Sequence, residues 1–313
     1  MKKEQKIAVV IPAYRVADFI VPLIRKIDDS ISKIIVVDDA CPEKSGQLVL
    51  EQLKDQRIEV IFNEKNLGVG GAVKRGYDAV LKDKSLDIAV KLDGDGQMNP
   101  DLIIDLVQPI LDRRADYVKG NRFFRLNKLK SMPAIRLLGN GVVSLINKIS
   151  SGYWKIMDPT NGFTAIHRST LKELELNKID NRYFFESDML FRLGVNRAKV
   201  EDFAMDAFYG DEKSNLNIPQ TIFRFPLKYF SRFLKRIFYT YFLRDFNAGS
   251  LQLVIGIVSV LFGLSFGLFH WWTNATENNP TAVGTVMLAA LPLIIGSQFL
   301  LGFLNYDIQN SPN

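Results

Sequence analysis

Over the first two hundred or so positions, short apolar runs alternate with longer stretches of helical spacing. Lys6–Ile11 is an apolar run stopped by Pro12. Lys33–Val37, Ile58–Phe62 and Asp87–Leu92 repeat the pattern. Continuous runs of this length predict buried strands. Between them, Ala17–Ile27, Glu43–Lys54, Gly70–Leu81 and Pro100–Leu111 space their apolar residues as a one-face-buried helix does. Pro100 suits a first helical turn, where its missing N–H is not needed. Strands alternating with helices predict an α/β domain: a mostly parallel, Rossmann-like sheet with helices on both faces. In such sheets ligands gather beyond the carboxyl ends of the strands, where Pro12–Tyr14, Asp38-Asp39 and Asp93–Gln97 fall. After Gly120 the pattern loosens. Pro133–Ile149 has the spacing of a long amphipathic helix, and Gly162–Ile166 and Lys199–Ala204 read as later strands.

The last quarter of the chain is different. Phe246–Thr276 and Asn278–Tyr306 contain no Asp, Glu, Lys or Arg. Each holds an apolar segment of roughly 20 residues, enough to cross a bilayer core of about 30 Å, which places two spans near Ser250–Trp271 and Ala282–Asn305. Trp271 and Trp272 stand where an interfacial aromatic anchor belongs, and a mid-span proline such as Pro292 is tolerated in a transmembrane helix. All 40 Lys and Arg lie at or before Arg244, and only Asp245, Glu277 and Asp307 carry charge after it, so the first 244 residues hold a net +9 and the rest −3. Arg224, Lys228, Arg232, Lys235, Arg236 and Arg244 precede the first span, and basic flanks mark the cytoplasmic side. The expected organisation is a cytoplasmic domain over 1–220, juxtamembrane amphipathic helices over 221–248 with aromatics in the bilayer and bases toward anionic headgroups, two transmembrane helices over 249–306, and a cytoplasmic tail over 307–313. Two lone spans invite pairing between chains. Cys41 has no partner for an internal disulfide, which fits a reducing compartment, and the run after Lys2, Lys3 and Lys6 is too short for a signal peptide.

The sharpest chemical signal is Asp93-Gly94-Asp95-Gly96-Gln97, directly after a hydrophobic strand. Two carboxylates on a glycine-opened turn can face one hard cation, Mg²⁺ or Mn²⁺, with Gln97 adding an amide oxygen. The alternative is a turn with two solvated aspartates. An EF-hand is excluded, because its sixth position would be Met98 and its twelfth Ile104. Asp38-Asp39 can accept a nucleobase N–H or a ribose hydroxyl, or can simply cap a strand. Gly68-Val69-Gly70-Gly71 is a weak phosphate-loop match; its glycines can equally let a helix start close to the sheet.

Together with Val9-Val10-Ile11-Pro12-Ala13-Tyr14, Ile35-Val36-Val37-Asp38-Asp39, Asn66-Leu67-Gly68, Asp158-Pro159-Thr160-Asn161-Gly162-Phe163, Phe185-Glu186-Ser187-Asp188 and Tyr209-Gly210-Asp211-Glu212-Lys213-Ser214, this segment resembles the family 2 glycosyltransferases of GT-A fold. The likeness is to their polyprenyl-phosphate branch, which includes dolichyl-phosphate mannose synthases and bacterial undecaprenyl-phosphate sugar transferases. The resemblance implies that Pro12, Tyr14 and Asp38 or Asp39 hold the nucleoside. It places Asp93, Asp95 and Gln97 on a Mg²⁺ or Mn²⁺ ion bound to the diphosphate, with Lys213 and Ser214 also near that group. Arg122, Arg136 and Asn140 would bind the acceptor phosphate, and Glu186 or Asp188 would act as a base or hold the acceptor loop. The implied reaction is an inverting transfer of one sugar from a nucleotide-sugar, a UDP-sugar being favoured, to undecaprenyl or dolichyl phosphate at the cytoplasmic face of a membrane, a bacterial inner membrane being expected. No nucleic-acid partner is expected. Two alternatives stay open: transfer to the hydroxyl of a glycolipid or growing polysaccharide, and a non-enzymatic membrane scaffold. The sequence departs from relatives at Phe208, where they often carry Arg, and at Ala13-Tyr14-Arg15, where many read Tyr-Asn-Glu.

Overall fold

The computed structural model of the chain describes residues 5–124, 134–206 and 218–312. Four parallel strands, β1 (Ile7–Ala13), β2 (Lys33–Asp38), β3 (Ile58–Phe62) and β4 (Ile88–Lys91), form the first half of a seven-stranded sheet. The second half is β5 (Tyr117–Asn121), β6 (Thr164–His167) and β7 (Val200–Ala204). The strand order is β3-β2-β1-β4-β6-β5-β7. β6 is antiparallel to both β4 and β5, whereas β5 and β7 are parallel. The sheet is therefore mostly parallel, as the alternating pattern predicts, with one reversed strand that the pattern does not disclose.

Helices α1 (Ala17–Arg25), α2 (Ser45–Gln52), α3 (Val69–Lys82) and α4 (Ile103–Leu111) follow the first four strands in turn, α4 after a 3₁₀ turn at Pro100–Leu102. The central strands β1, β2 and β4 are mainly apolar because both faces are covered, whereas the edge strand β3 is half-buried and carries Glu59. Ile7, Val9, Ile11 and Ala13 of β1 join one buried cluster with Ile20 and Ile24 of α1 and Leu106 and Ile110 of α4. Ala8 and Val10 belong to a second, with Val73, Tyr77 and Val80 of α3. Burying each Val or Ile side chain stabilises the fold by roughly 1.5–3 kcal/mol. Gly76 lets α3 lie close on the sheet, since a Cβ there would stand 2.2 Å from Cγ1 of Val10. Further along come α5 (Ala134–Ser151), α6 (Arg168–Glu173), α7 (Phe185–Val195) and α8 (Ile218–Phe238).

The chain divides into two compact units, 1–233 with the last two residues, and Leu234–Ser311. In the second unit a π-helical turn at Tyr239–Leu243 leads to α9 (Ala248–Thr276) and α10 (Val283–Gln309). Asn247 caps α9 in a reciprocal box with Ser250. Gly249, Gly256 and Gly263 recur every seventh residue and admit Tyr306, Leu300 and Leu293 of α10 against the α9 backbone. Arg236 forms two bonds to buried Asp307, 2.6 Å and 3.0 Å, and Tyr241 donates a third at 2.6 Å. α9 and α10 have mean hydropathies of 2.2 and 2.0 over their best windows, yet only 11% of each window is buried. A soluble core helix would be mostly buried, so these two fit an apolar surrounding. At 29 residues α9 is about 43 Å long.

Helix α8 covers much of the stretch expected to be juxtamembrane. Leu227, Phe230, Leu234 and Phe238, spaced three and four apart, are exposed along one side of α8. Its bases do not all face outward, however. Lys228 pairs with Asp180, Arg232 with Asp188 and Arg236 with Asp307.

Candidate active site

The carboxyl ends of β2, β1 and β4 lie side by side. Ala13 is in register with Asp38, Val10 with Lys91, and the Leu92 N–H extends the ladder by bonding Val10 O at 3.0 Å. Because β6 runs antiparallel to β4, its first residue, Thr164, pairs with Lys91 and also with Lys119 of β5. The loop 158–163 is thereby delivered to the same end of the sheet, beside Asp93 and Asn121.

At the tip of β4 the site is built around a buried lysine. Lys91 is fully buried, and its ammonium donates to Asp93 Oδ1 at 2.6 Å and to the Gly162 carbonyl at 3.2 Å, and pairs with Glu186 Oε1 at 3.2 Å. Burial alone would lower its pKa, but Asp93 and Glu186 outweigh burial and hold it above the ordinary lysine range. Lys119, equally buried, donates to the neighbouring Asn161 carbonyl. There burial prevails over Glu186 and Asp158 and brings the ammonium down to about 8. Two lysines on either side of Thr164 thus pin the Asn161-Gly162 turn.

Gly162 has no alternative residue without movement. A Cβ there would sit 2.1 Å from Asp93 Oδ2 and 2.3 Å from Lys91 Nζ. Asp93 Oδ1 is held by Lys91. Asp95 Oδ1 accepts the Gln97 N–H at 3.1 Å. Gly96 takes a left-handed φ of +75°, which glycine adopts without strain. Among the described residues no group of three or more His, Cys, Asp or Glu gathers to hold a metal. Two carboxylates and an amide oxygen nevertheless fit a hard divalent cation that keeps waters and takes substrate phosphate oxygens. The space that Gly162 leaves at Asp93 Oδ2 is consistent with that donor set.

Asp38 and Asp39 are nearly inaccessible and already engaged. Asp38 accepts the N–H groups of Cys41 and Gly46, both at 2.7 Å. Asp39 accepts from Asn63 Nδ2 at 2.8 Å and from the Leu67 and Gly68 N–H groups at 2.9 and 2.8 Å. Tyr14 is 39% exposed at the end of β1, with the Arg15 guanidinium 5.5 Å from its ring centre. The glycines from Gly68 on serve close packing: a Cβ at Gly68 would meet Asn181 O at 2.7 Å, and one at Gly70 would meet Asp180 O at 2.5 Å.

The acceptor candidates are only partly brought together. Arg122 grips fully buried Asp158 through Nε at 2.7 Å and Nη2 at 3.0 Å. Asn140 lies half-buried on α5, which also carries Arg136; the Arg136 side chain, with Lys213, Ser214 and Phe208, lies outside the described residues. Among the described residues, Ser144 Oγ and both amide atoms of Asn147 on that helix are buried with no hydrogen-bond partner. Nearby, Asp202 accepts from Asn121 Nδ2 at 2.8 Å and the Met157 N–H at 3.0 Å, and burial pushes its carboxyl up to about 6.

Glu186 and Asp188 begin α7 but point to different neighbours. Glu186 goes to Lys91. Asp188, fully buried, receives Arg232 Nε at 2.6 Å and Nη2 at 3.1 Å, and the Asp180 N–H at 2.9 Å. Sequence reasoning passed over Lys91, Lys119 and Asp202. For Lys91 a signal existed: it precedes Asp93 by two residues in a central apolar run, so it shares that strand face.

A family model described as Glycosyl transferase family 2 matches residues 8–175, more than half of the chain. The chain belongs to glycosyl transferase family 2. The transferase is 28% identical over 220 residues to a UDP-N-acetylglucosamine--dolichyl-phosphate N-acetylglucosaminyltransferase of Methanococcus voltae, covering 66% of this chain and 87% of that protein. It is 28% identical over 186 residues to a dolichol-phosphate mannosyltransferase of Pyrococcus furiosus, covering 58% of this chain and 51% of that one. Among solved structures, glucosyl-3-phosphoglycerate synthase from Mycobacterium tuberculosis with Mn²⁺, UDP-glucose and phosphoglyceric acid superposes with a TM-score of 0.56. That match has 19% identity over 75% of the transferase and 80% of the synthase, and it shows the shared fold.

Proposed function

We propose that this glycosyltransferase moves one sugar from a nucleotide-sugar, with a UDP-sugar favoured, to a polyprenyl phosphate at the cytoplasmic face of a membrane. The observation that carries the reading is the Asp93–Gln97 turn at the tip of β4, held by Lys91 beside the Gly162 gap. Two relatives whose names specify dolichyl phosphates support the acceptor class, and α9 and α10 support a membrane site. Both relatives are archaeal, so nothing favours a bacterial membrane over an archaeal one.

In this reading Asp93, Asp95 and Gln97 would hold Mg²⁺ or Mn²⁺, whose chemistry is to neutralise charge on a departing diphosphate. The chain's own residues do the rest. Tyr14 offers an exposed ring to the base. Lys91 fixes the Asp93 carboxylate and keeps positive charge beside the leaving group. The acceptor phosphate oxygen forms a bond to the anomeric carbon as the carbon–diphosphate oxygen bond breaks on the opposite side, so configuration inverts. A phosphate monoester, with a second pKa near ~6, is largely dianionic at neutral pH and needs no base. This agrees with Glu186 and Asp188 both being engaged by cations rather than by a substrate proton.

The test is transfer from a panel of labelled nucleotide-sugars to undecaprenyl and dolichyl phosphate in detergent, with Mg²⁺, Mn²⁺ or a chelator, for the parent and Asp93→Asn. Metal-dependent product that Asp93→Asn abolishes is expected. Transfer to a lipid hydroxyl but not to the phosphate, or full activity with the chelator, would refute it.

A further inference from the structure

Arg232 stands in a run of bases beside two apolar helices, and its sequence position alone suggests a contact with lipid headgroups. Its geometry points elsewhere. The inner side of α8 is fixed to residues 180–191 by several independent contacts. Lys228 pairs with Asp180, and the hydroxyls of Tyr229 and Ser187 lie 2.7 Å apart. Arg232 binds both oxygens of Asp188, with only 17% of its side chain exposed and none of its partner's. Phe184 packs edge-on against Phe225 and Tyr229, with ring centres 5.3 and 4.9 Å apart. The Arg232 guanidinium lies 5.4 Å from the ring centre of Phe191.

These contacts grip the first turn of α7, whose other side touches the chemistry. Residues two apart on a helix project in widely different directions. Asp188 accordingly reaches α8 while Glu186 reaches Lys91, which in turn holds Asp93. We propose that Arg232 is a positioning residue: it clamps the first turn of α7 from the membrane-side helix, so that Glu186 braces Lys91 and Lys91 sets the Asp93 carboxylate. Without Arg232, Asp188 is a buried charge lacking its main counterion, with Arg192 4.0 Å away and Lys74 near enough to interact electrostatically. Such a charge is relieved by moving toward water, and moving that turn withdraws Glu186. Tyr229 supports the same grip through Ser187.

The inference rests on the transferase reading for its kinetic arm but not for its structural one. Arg232→Gln, Arg232→Lys and Asp188→Asn, made in the full-length detergent-solubilised chain, are compared by amide hydrogen exchange over residues 184–191 and by steady-state transfer kinetics. The expected result for Arg232→Gln is at least about tenfold faster exchange in that turn. Its kcat should fall by about tenfold or more, with acceptor KM changed by less than about twofold. Arg232→Lys should recover part of both, and Arg232→Gln with Asp188→Asn together should be no worse than either alone. If Arg232→Gln does not fold, the Arg232→Lys variant decides, with an intermediate rise in exchange expected and parental exchange refuting. Unchanged exchange and kcat in Arg232→Gln would overturn the proposal. So would a rise confined to acceptor KM that scales with added anionic lipid, which is the signature of a headgroup contact. Absence of transfer by the parent chain would count against the transferase reading, while the exchange data would still decide the clamp.

Discussion

Replacing Gly162 by alanine should separate activity from folding at the centre of the site. The new Cβ would be 2.1 Å from Asp93 Oδ2 and 2.3 Å from Lys91 Nζ, where ordinary contact begins near 3.4 Å. The backbone at 162 is tied by its carbonyl to Lys91, and its neighbours' groups are tied to Lys119 and to β5: Asn161 O to Lys119, and Phe163 O to the Gly120 N–H at 2.8 Å. The side chains must therefore give way, and the carboxylate has to retreat by more than about 1 Å. Misplacement on that scale costs about a hundredfold in rate, equivalent to roughly 2.7 kcal/mol of transition-state stabilisation. Overpacking one methyl group against flexible side-chain ends costs about 1–3 kcal/mol of stability, a fall of roughly 2–12 °C in a domain of this size. The assay is metal-dependent sugar transfer at a temperature well below the melting transition, alongside a thermal melt of the same preparation. A Gly162→Ala protein with parental kcat and parental metal dependence would show that Asp93 has no part in the chemistry.

Other substitutions test other parts of the geometry. Arg122→Ala leaves Asp158 buried without its bidentate partner, so a loss of about 3–5 kcal/mol of stability is expected, read as a lowered melting temperature. A phosphate contact alone would change only acceptor KM. Asp202 has a carboxyl pKa raised from 3.8 to about 6, burial being the main cause. Folding therefore favours its protonated form, a contribution fully present below about pH 4 and lost as pH rises through about 6. Asp202→Asn should accordingly stabilise the protein at pH 7.5 by up to roughly 3 kcal/mol and give no gain at pH 4, which melts at the two pH values will show. Arg136→Ala should raise the acceptor KM more than the donor KM; equal changes in both would remove Arg136 from the acceptor site.

Much of the first half of the fold is legible in the chain because β1, β2 and β4 are almost wholly buried and so appear as mainly apolar runs, while the half-buried edge strand β3 still shows Ile58, Val60 and Ile61 around Glu59. β5 is not, because Tyr117-Val118-Lys119-Gly120-Asn121 has a lysine at its centre, which reads as solvent-facing until tertiary structure supplies the Asn161 carbonyl. α7 escapes for the opposite reason. Nine of its eleven residues are buried, Glu186 and Asp188 among them, so no amphipathic period survives. The direction of β6 is invisible locally, since it is fixed by how the chain returns from α5. At the site, the Asp93–Gln97 turn is a local motif and can be found as one. The pairings Lys91–Glu186, Arg122–Asp158 and Arg232–Asp188 join residues 95, 36 and 44 positions apart. They are ion pairs made by residues that the sequence offers for phosphate, base and headgroup contacts. Only the fold could reveal them.

The outward strip on α8 has a practical corollary for anyone seeking a crystallisable fragment. Leu227 is 72% and Phe230 59% exposed in the full chain, and in a fragment without α9 and α10 this oily ridge is expected to draw detergent or self-associate in buffer. Trimming further back removes the ridge but takes Lys228 and Arg232 with it, orphaning two anions of the globular half. A cut near this helix is therefore expected to cost either solubility or integrity; polar replacement of Leu227 and Phe230, with the helix retained, is the better route.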